Sequence, residues 1–168
     1  AGELTAYAAL GSTASLAAAP EPSPDFPAFT AMSTAGFTLN WSSGGEVGHN
    51  PAANTTYYIS VSTAVSLDPA AAAFYELSLS TGVSGLIPNT TYYARVAAYS
   101  HHHGTWTAFL SFGSTATLAA PPGTAAATFT AVGFSSMSVA FAPGANPLDR
   151  TSYTVVLTPE LPYPNANP

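Results

Sequence analysis

Residues 86–98 read Leu-Ile-Pro-Asn-Thr-Thr-Tyr-Tyr-Ala-Arg-Val-Ala-Ala. The run joins turn chemistry to strand chemistry. Pro88, Asn89 and Thr90 predict a turn, in which Asn and Thr side chains cap backbone groups. From Tyr92 onward the period is two: Tyr92, Ala94, Val96 and Ala98 share one face, and Arg95 goes to solvent. Working outward, Phe37-Thr38-Leu39-Asn40-Trp41 alternates in the same way, with Phe37, Leu39 and Trp41 inward and Asn40 on the outer face. Tyr57, Ile59 and Val61 share a face in Tyr57–Val61. A last strand is expected over Trp106–Thr117, bent near Gly113, with weaker strands over Phe74–Leu79 and Thr81–Leu86. The stretch Ala64–Ala73 predicts a loop or at most one helical turn. Fifteen Pro and thirteen Gly punctuate these short runs. Such spacing predicts an all-β sandwich or barrel.

The chain also repeats itself. Thr5–Ala18 aligns without a gap on Thr107–Ala120, an offset of 102, with nine of fourteen positions identical. Phe29-Thr30-Ala31 recurs as Phe129-Thr130-Ala131, and Phe37, Leu39 and Trp41 recur as Met137, Val139 and Phe141, both at an offset of 100. Tyr57–Val61 is echoed by Tyr153–Leu157 at 96, so one loop of the second copy is four residues shorter. The unit is therefore about 100 residues, an ordinary sandwich size. The expected organisation is an end, a whole and a beginning. Residues 1–18 form the final strand of a preceding unit, 19–118 a complete domain, and 119–168 the first three strands of another unit with a Pro-rich tail. Pro-rich joints at 19–22 and 120–123 should be short and stiff.

At Leu86-x-Pro88-x-Thr90-x-Tyr92 the chain resembles the fibronectin type III domain. The resemblance makes Tyr92 the tyrosine-corner residue, whose buried hydroxyl takes a backbone partner from the preceding turn. It places Leu86, Pro88 and Val96 as structural positions of the same region, and Trp41 as the strand B tryptophan. It covers Pro20 to Leu118 well and Pro121 to about Thr158 as the opening strands of a second copy. The family resemblance implies extracellular spacing, adhesion and assembly, and rarely catalysis; fold alone does not fix function.

Composition narrows the function classes. Only 6% of the residues are charged, there is no Lys, and the formal net charge is −6. A typical globular protein carries roughly a quarter charged residues. A surface clothed in Ser, Thr, Asn and Ala suits a chain that works outside the cell or on its surface. Without a basic patch, nucleic acid is a poor partner. There is no Cys, which excludes disulfides, thiolate metal sites and a Cys nucleophile. No run of about 18 apolar residues offers a membrane span.

A half sandwich at the C-terminal end would expose an apolar face and unpaired edges. Two accounts of the incomplete ends follow. Either the chain is a piece of a longer tandem array, or Thr5–Ala18 of one copy, with Thr5, Tyr7, Leu10 and Leu16 as its main contacts, adds as a strand to the next. The second account makes copies of the chain one another's partners and builds a head-to-tail filament.

Chemistry-bearing motifs are few. His101, His102 and His103 lie in one loop, which could gather two imidazoles around an ion or present a solvated surface. Asn40, Asn54 and Asn89 stand in Asn-x-Ser/Thr patterns and are candidate glycosylation positions, with turn chemistry the preferred reading of Asn89. The eight carboxylates are scattered without a pairing that suggests acid–base catalysis, so neither an enzyme nor a cofactor is expected. Tyr58, Tyr93 and Tyr99 could form a sugar-stacking strip, or serve as outer-face strand residues or a subunit contact. The expected function is a structural subunit of an extracellular filament or adhesin-like array. The alternative is a non-catalytic carbohydrate-binding or spacer region of a secreted enzyme, with surface glycans as partners.

Overall fold

In β3 (Phe37–Ser42), Phe37, Leu39 and Trp41 turn inward and are buried. The computed structural model describes residues 11–45 and 50–156. Strand β3 is the hub of one antiparallel sheet. Strand β6 (Ser80–Val83) pairs with it from Phe37↔Val83 to Asn40↔Ser80, and β2 (Phe29–Thr30) and β1 (Glu21–Pro22) also pair with it.

The second antiparallel sheet is larger. Strand β4 (Thr55–Ser62) lies between β5 (Ala72–Glu76) and β7 (Thr91–Ser100), and β7 carries β8 (Thr105–Trp106) and β9 (Leu110–Ala116) on its other edge. Inward residues meet across the ladder as large against small at Tyr57 opposite Ala98 and Val61 opposite Ala94, and as two β-branched residues at Ile59 opposite Val96.

The two sheets share one core, as in a β-sandwich. Trp41 of the first sheet meets Tyr57 of the second at 5.7 Å between ring centroids, and Phe37 meets Tyr92 at 6.4 Å. Edge-to-face and tilted contacts of this kind suit the ring quadrupoles. The Gly113 bend is present as a register shift in the β7–β9 ladder, with Gly113 at φ +77°. A glycine takes that backbone conformation without a Cβ penalty.

Several expectations need correction. Asn40 does not lie on an open outer face: it is buried, and its amide nitrogen donates to the Pro27 carbonyl and the Thr30 hydroxyl. The outer face of β3 is covered at that point because the backbone before β2 passes over it. Strand β5 begins at Ala72, inside the alanine run, because Val61 extends the ladder to it. The chain then crosses between sheets at 77–79, so the weaker strands end at Glu76 and Val83 rather than Leu79 and Leu86.

In the second repeat unit, β10 (Gly123–Val132) and β11 (Met137–Ala142) pair as an antiparallel hairpin. Residues 151–156, expected to open a third strand, have no ladder. Their counterpart β4 is held between β5 and β7, and the second unit offers no such neighbours among the described residues. Phe129, Val132, Phe134 and Met137 are accordingly exposed.

No described helix is long and apolar enough to cross a membrane.

Candidate functional site: a repeated asparagine joint

The residues that follow β9 are sewn into the turn at 86–90. Thr117 Oγ1 donates to the Ile87 carbonyl at 2.6 Å and accepts from the Thr90 N–H at 3.1 Å. The Leu118 N–H donates to the Ser33 carbonyl at 2.9 Å, and the Asn89 N–H donates to the Leu118 carbonyl at 3.1 Å. Inside the turn, the Ile87 N–H donates to the hydroxyl of buried Tyr92 at 2.9 Å. Leu86 and Val96 are buried beside it. Pro88 supplies a carbonyl to the Thr90 hydroxyl.

Two residues after Leu118 the chain passes to the second unit. Both backbone groups of Ala120 bond to one side chain: the Ala120 N–H donates to Asn146 Oδ1 at 2.7 Å, and Asn146 Nδ2 donates to the Ala120 carbonyl at 2.7 Å. Asn146 Nδ2 also reaches the Pro143 carbonyl, and the Tyr153 hydroxyl donates to that same carbonyl at 2.7 Å. Directly between the units, Asn89 Nδ2 donates to the Arg150 carbonyl and to Thr151 Oγ1, both at 2.9 Å.

The same device stands at the entrance of the first unit. The Ala18 N–H donates to Asn50 Oδ1 at 2.7 Å, and Asn50 Nδ2 donates to the Ala18 carbonyl at 2.9 Å and to the Ser43 carbonyl. Tyr57 occupies the place of Tyr153. Burial pushes its hydroxyl above the ordinary tyrosine value, and the hydrogen bond with Asn50 pulls it part of the way back. Ser43 and Pro143, Asn50 and Asn146, Tyr57 and Tyr153, and Ala18 and Ala120 are repeat equivalents. Gly44 and Gly144 complete the set: both have positive φ, and a Cβ on either would run into the carbonyl of the entering chain, at Ala19 or Pro121.

Reading the sequence alone missed this clamp, although a signal for it exists. Asn50-Pro51 recurs as Asn146-Pro147 at the offset of 96 that relates Tyr57 to Tyr153.

The structure disperses the candidate metal ligands. His101 Nε2 lies 2.7 Å from Thr56 Oγ1, and His103 Nε2 lies 2.7 Å from the Ala14 carbonyl. His102 lines a cleft against residues 14–18. Among the described residues no three His, Cys, Asp or Glu side chains stand close enough to hold a metal ion. Of the Asn-x-Ser/Thr positions, Asn54 ends a short 3-10 turn and is exposed, whereas Asn89 spends its amide nitrogen on the joint. Asn89 adopts φ +45°, a turn conformation that asparagine tolerates better than most residues. Of the expected strand-donating residues, Thr5, Tyr7 and Leu10 lie outside the described residues, and Leu16 is exposed.

Compared with known proteins, the chain matches no protein-family model and no curated protein.

Proposed function

We propose that the chain is a structural stretch of an extracellular or cell-surface array of fibronectin type III-like repeats, whose work is to hold successive units at fixed spacing and orientation. The observation that carries this reading is the joint itself. Between Thr117 and Ala120, only Ala119 has no backbone hydrogen bond to either unit among the described residues, and Asn89 ties the two units directly. Pro121 and Pro122 follow, and proline restricts the backbone further. A linker so engaged transmits orientation, whereas a free Gly/Ser linker would not. The fibronectin-like assignment rests on the two-sheet arrangement and on the Tyr92 hydroxyl bonded back to Ile87. A scarcely charged surface, no thiol and no clustered carboxylates support a non-catalytic, extracellular role.

The test is a distance distribution between spin labels placed on β5 and β11. A single narrow distribution that broadens in the Asn89→Ala/Asn146→Ala double variant is expected. A broad distribution in the unaltered chain refutes the rigid array.

One observation favours a polymerising form of the same reading. Gly11-Ser12-Thr13-Ala14 is identical to Gly113-Ser114-Thr115-Ala116 of β9, yet it pairs with no strand here. In that form, residues 5–18 of one copy add as a strand to the C-terminal unit of the next. Sedimentation velocity of the full chain should then show head-to-tail oligomers that are lost on removing residues 1–16. Oligomers that survive the truncation refute strand donation.

A further inference from the structure

The outward face of the five-stranded sheet carries a second feature, independent of the joint. Tyr58 of β4, Tyr75 of β5, Tyr99 of β7, Trp106 of β8 and Phe109 beyond it form one continuous aromatic surface. Neighbouring ring centroids lie 4.7 to 6.3 Å apart along it. Tyr75 is 68% exposed, and Trp106 and Phe109 are each 46% exposed. Ala97, opposite Tyr58 in register, is fully buried although the strand alternation turns it outward, since its side chain is short and the rings close over it. Tyr93, also on this face, has no ring partner in the cluster.

Monomeric proteins seldom leave such a patch uncovered without a use. The chemistry of the face selects the occupant. Apart from Arg95, its large side chains among the described residues are all aromatic, with no Leu, Ile or Val, and every ring but Phe109 carries a polar tip as phenol or indole N–H. Among the described residues the one charge on it, Arg95, is half-buried, with its guanidinium carbon 4.2 Å from the Phe109 ring centroid. Among the described residues no carboxylate faces outward there, since Glu76 turns to the other side of β5 and takes the Thr81 hydroxyl. An acidic or basic polymer finds little to pair with. A pyranose chain, apolar on its C–H faces and hydroxylated at its edges, matches both the rings and their polar tips.

We propose that this face binds a single chain of a neutral polysaccharide. The rings are mutually tilted, by 44° between Tyr75 and Trp106, 46° between Tyr58 and Tyr75, and 45° between Tyr99 and Trp106. A tilted platform follows a twisting soluble chain and does not lie flat on a crystalline surface.

The chain contains two Trp residues, and Trp41 is buried in the core, so a ligand-induced change in tryptophan emission reports on Trp106. The full chain is titrated with hydroxyethyl cellulose, a soluble galactomannan and a soluble xylan, with mobility in polysaccharide-containing native gels as a second readout. At least one polymer should shift the emission and retard the protein. Tyr75→Ala should weaken the interaction by at least about fivefold, the scale of a central aromatic contact. Trp106→Ala should abolish the emission change and the retardation together, with the far-ultraviolet spectrum unchanged. No response to any of the three polymers overturns the proposal. So does retardation that survives both substitutions. Concentration-dependent self-association lost in Trp106→Ala, without polysaccharide binding, overturns it in favour of a contact between copies.

Discussion

Replacing Asn50 with Ala removes the side chain that holds the incoming chain against the first unit. Three hydrogen bonds to the backbone are lost, from the Ala18 N–H, to the Ala18 carbonyl and to the Ser43 carbonyl, and the bond with the Tyr57 hydroxyl goes with them. Each net protein hydrogen bond is worth about 1 kcal/mol. Ala18 is only partly buried, so water recovers some of the loss at its two groups. The expected destabilisation is therefore about 2 kcal/mol rather than the full sum. For a unit of this size that corresponds to roughly 8–16 °C in melting temperature.

Asn50→Asp separates a hydrogen-bond mechanism from simple loss of volume. Its carboxylate keeps an acceptor for the Ala18 N–H but sets negative charge against two carbonyl oxygens that had received donors. It should be less stable than Asn50→Ala at neutral pH; because the folded state disfavours the carboxylate, the loss should be recovered as pH falls towards the ordinary aspartate value of about 4. Urea denaturation followed by Trp41 emission, in a Trp106→Phe background, measures both variants. A loss below about 0.5 kcal/mol for Asn50→Ala, the range of ordinary surface changes, refutes the clamp, as does an aspartate variant no worse than alanine.

Three further outcomes are expected. Tyr92→Phe leaves the Ile87 N–H without its 2.9 Å acceptor and should cost about 1–2 kcal/mol in urea denaturation with the spectrum of the fold retained. Gly44→Ala combines a left-handed backbone with a Cβ driven into the Ala19 carbonyl, whereas Gly104→Ala has the same sign of φ but meets nothing closer than the Tyr99 hydroxyl at 3.6 Å. Gly104→Ala should lose about 1–2 kcal/mol and Gly44→Ala clearly more, so equal thermal shifts would contradict the close approach. Because burial raises the Tyr57 hydroxyl above the ordinary tyrosine value of about 10, the folded state holds that proton more tightly than the unfolded chain. The resulting stability is whole below pH 10 and is lost as pH rises from there through the folded value. Urea denaturation between about pH 9 and about pH 11 should show a fall in stability that is shallower in Tyr57→Phe.

Much of the fold was legible because its strands alternate strictly. Phe37, Leu39 and Trp41, Tyr57, Ile59 and Val61, and Tyr92, Ala94, Val96 and Ala98 all read as one-faced runs, and all are buried. A period of two is a local property, so it survives without knowledge of the partner strand. Asn40 read wrongly for the same reason. Alternation says which side of the sheet a residue takes, but not whether other chain covers that side, and the segment before β2 does so here. The aromatic face was only partly visible. Tyr58 and Tyr99 stood out, but Tyr75, Trp106 and Phe109 join them through ladder register and the irregular path after β8, which no local pattern specifies.

The two copies of Gly-Ser-Thr-Ala show where local reading must stop. At 113–116 the four residues are strand, paired along β7 from Thr91 to Ala94. At 11–14 the same four residues make no ladder. Their intrinsic preferences are identical, so the difference lies wholly in whether an edge with the right register is within reach. Four residues later the copies agree again: Ala18 and Ala120 are each held at both backbone groups by an asparagine of the unit that follows. The clamp therefore does not depend on the preceding residues being strand. It is encoded by the following unit alone, through Asn50 or Asn146 and the glycine that lets the entering chain come close. Each of the two units thus carries the means to hold the chain that enters it.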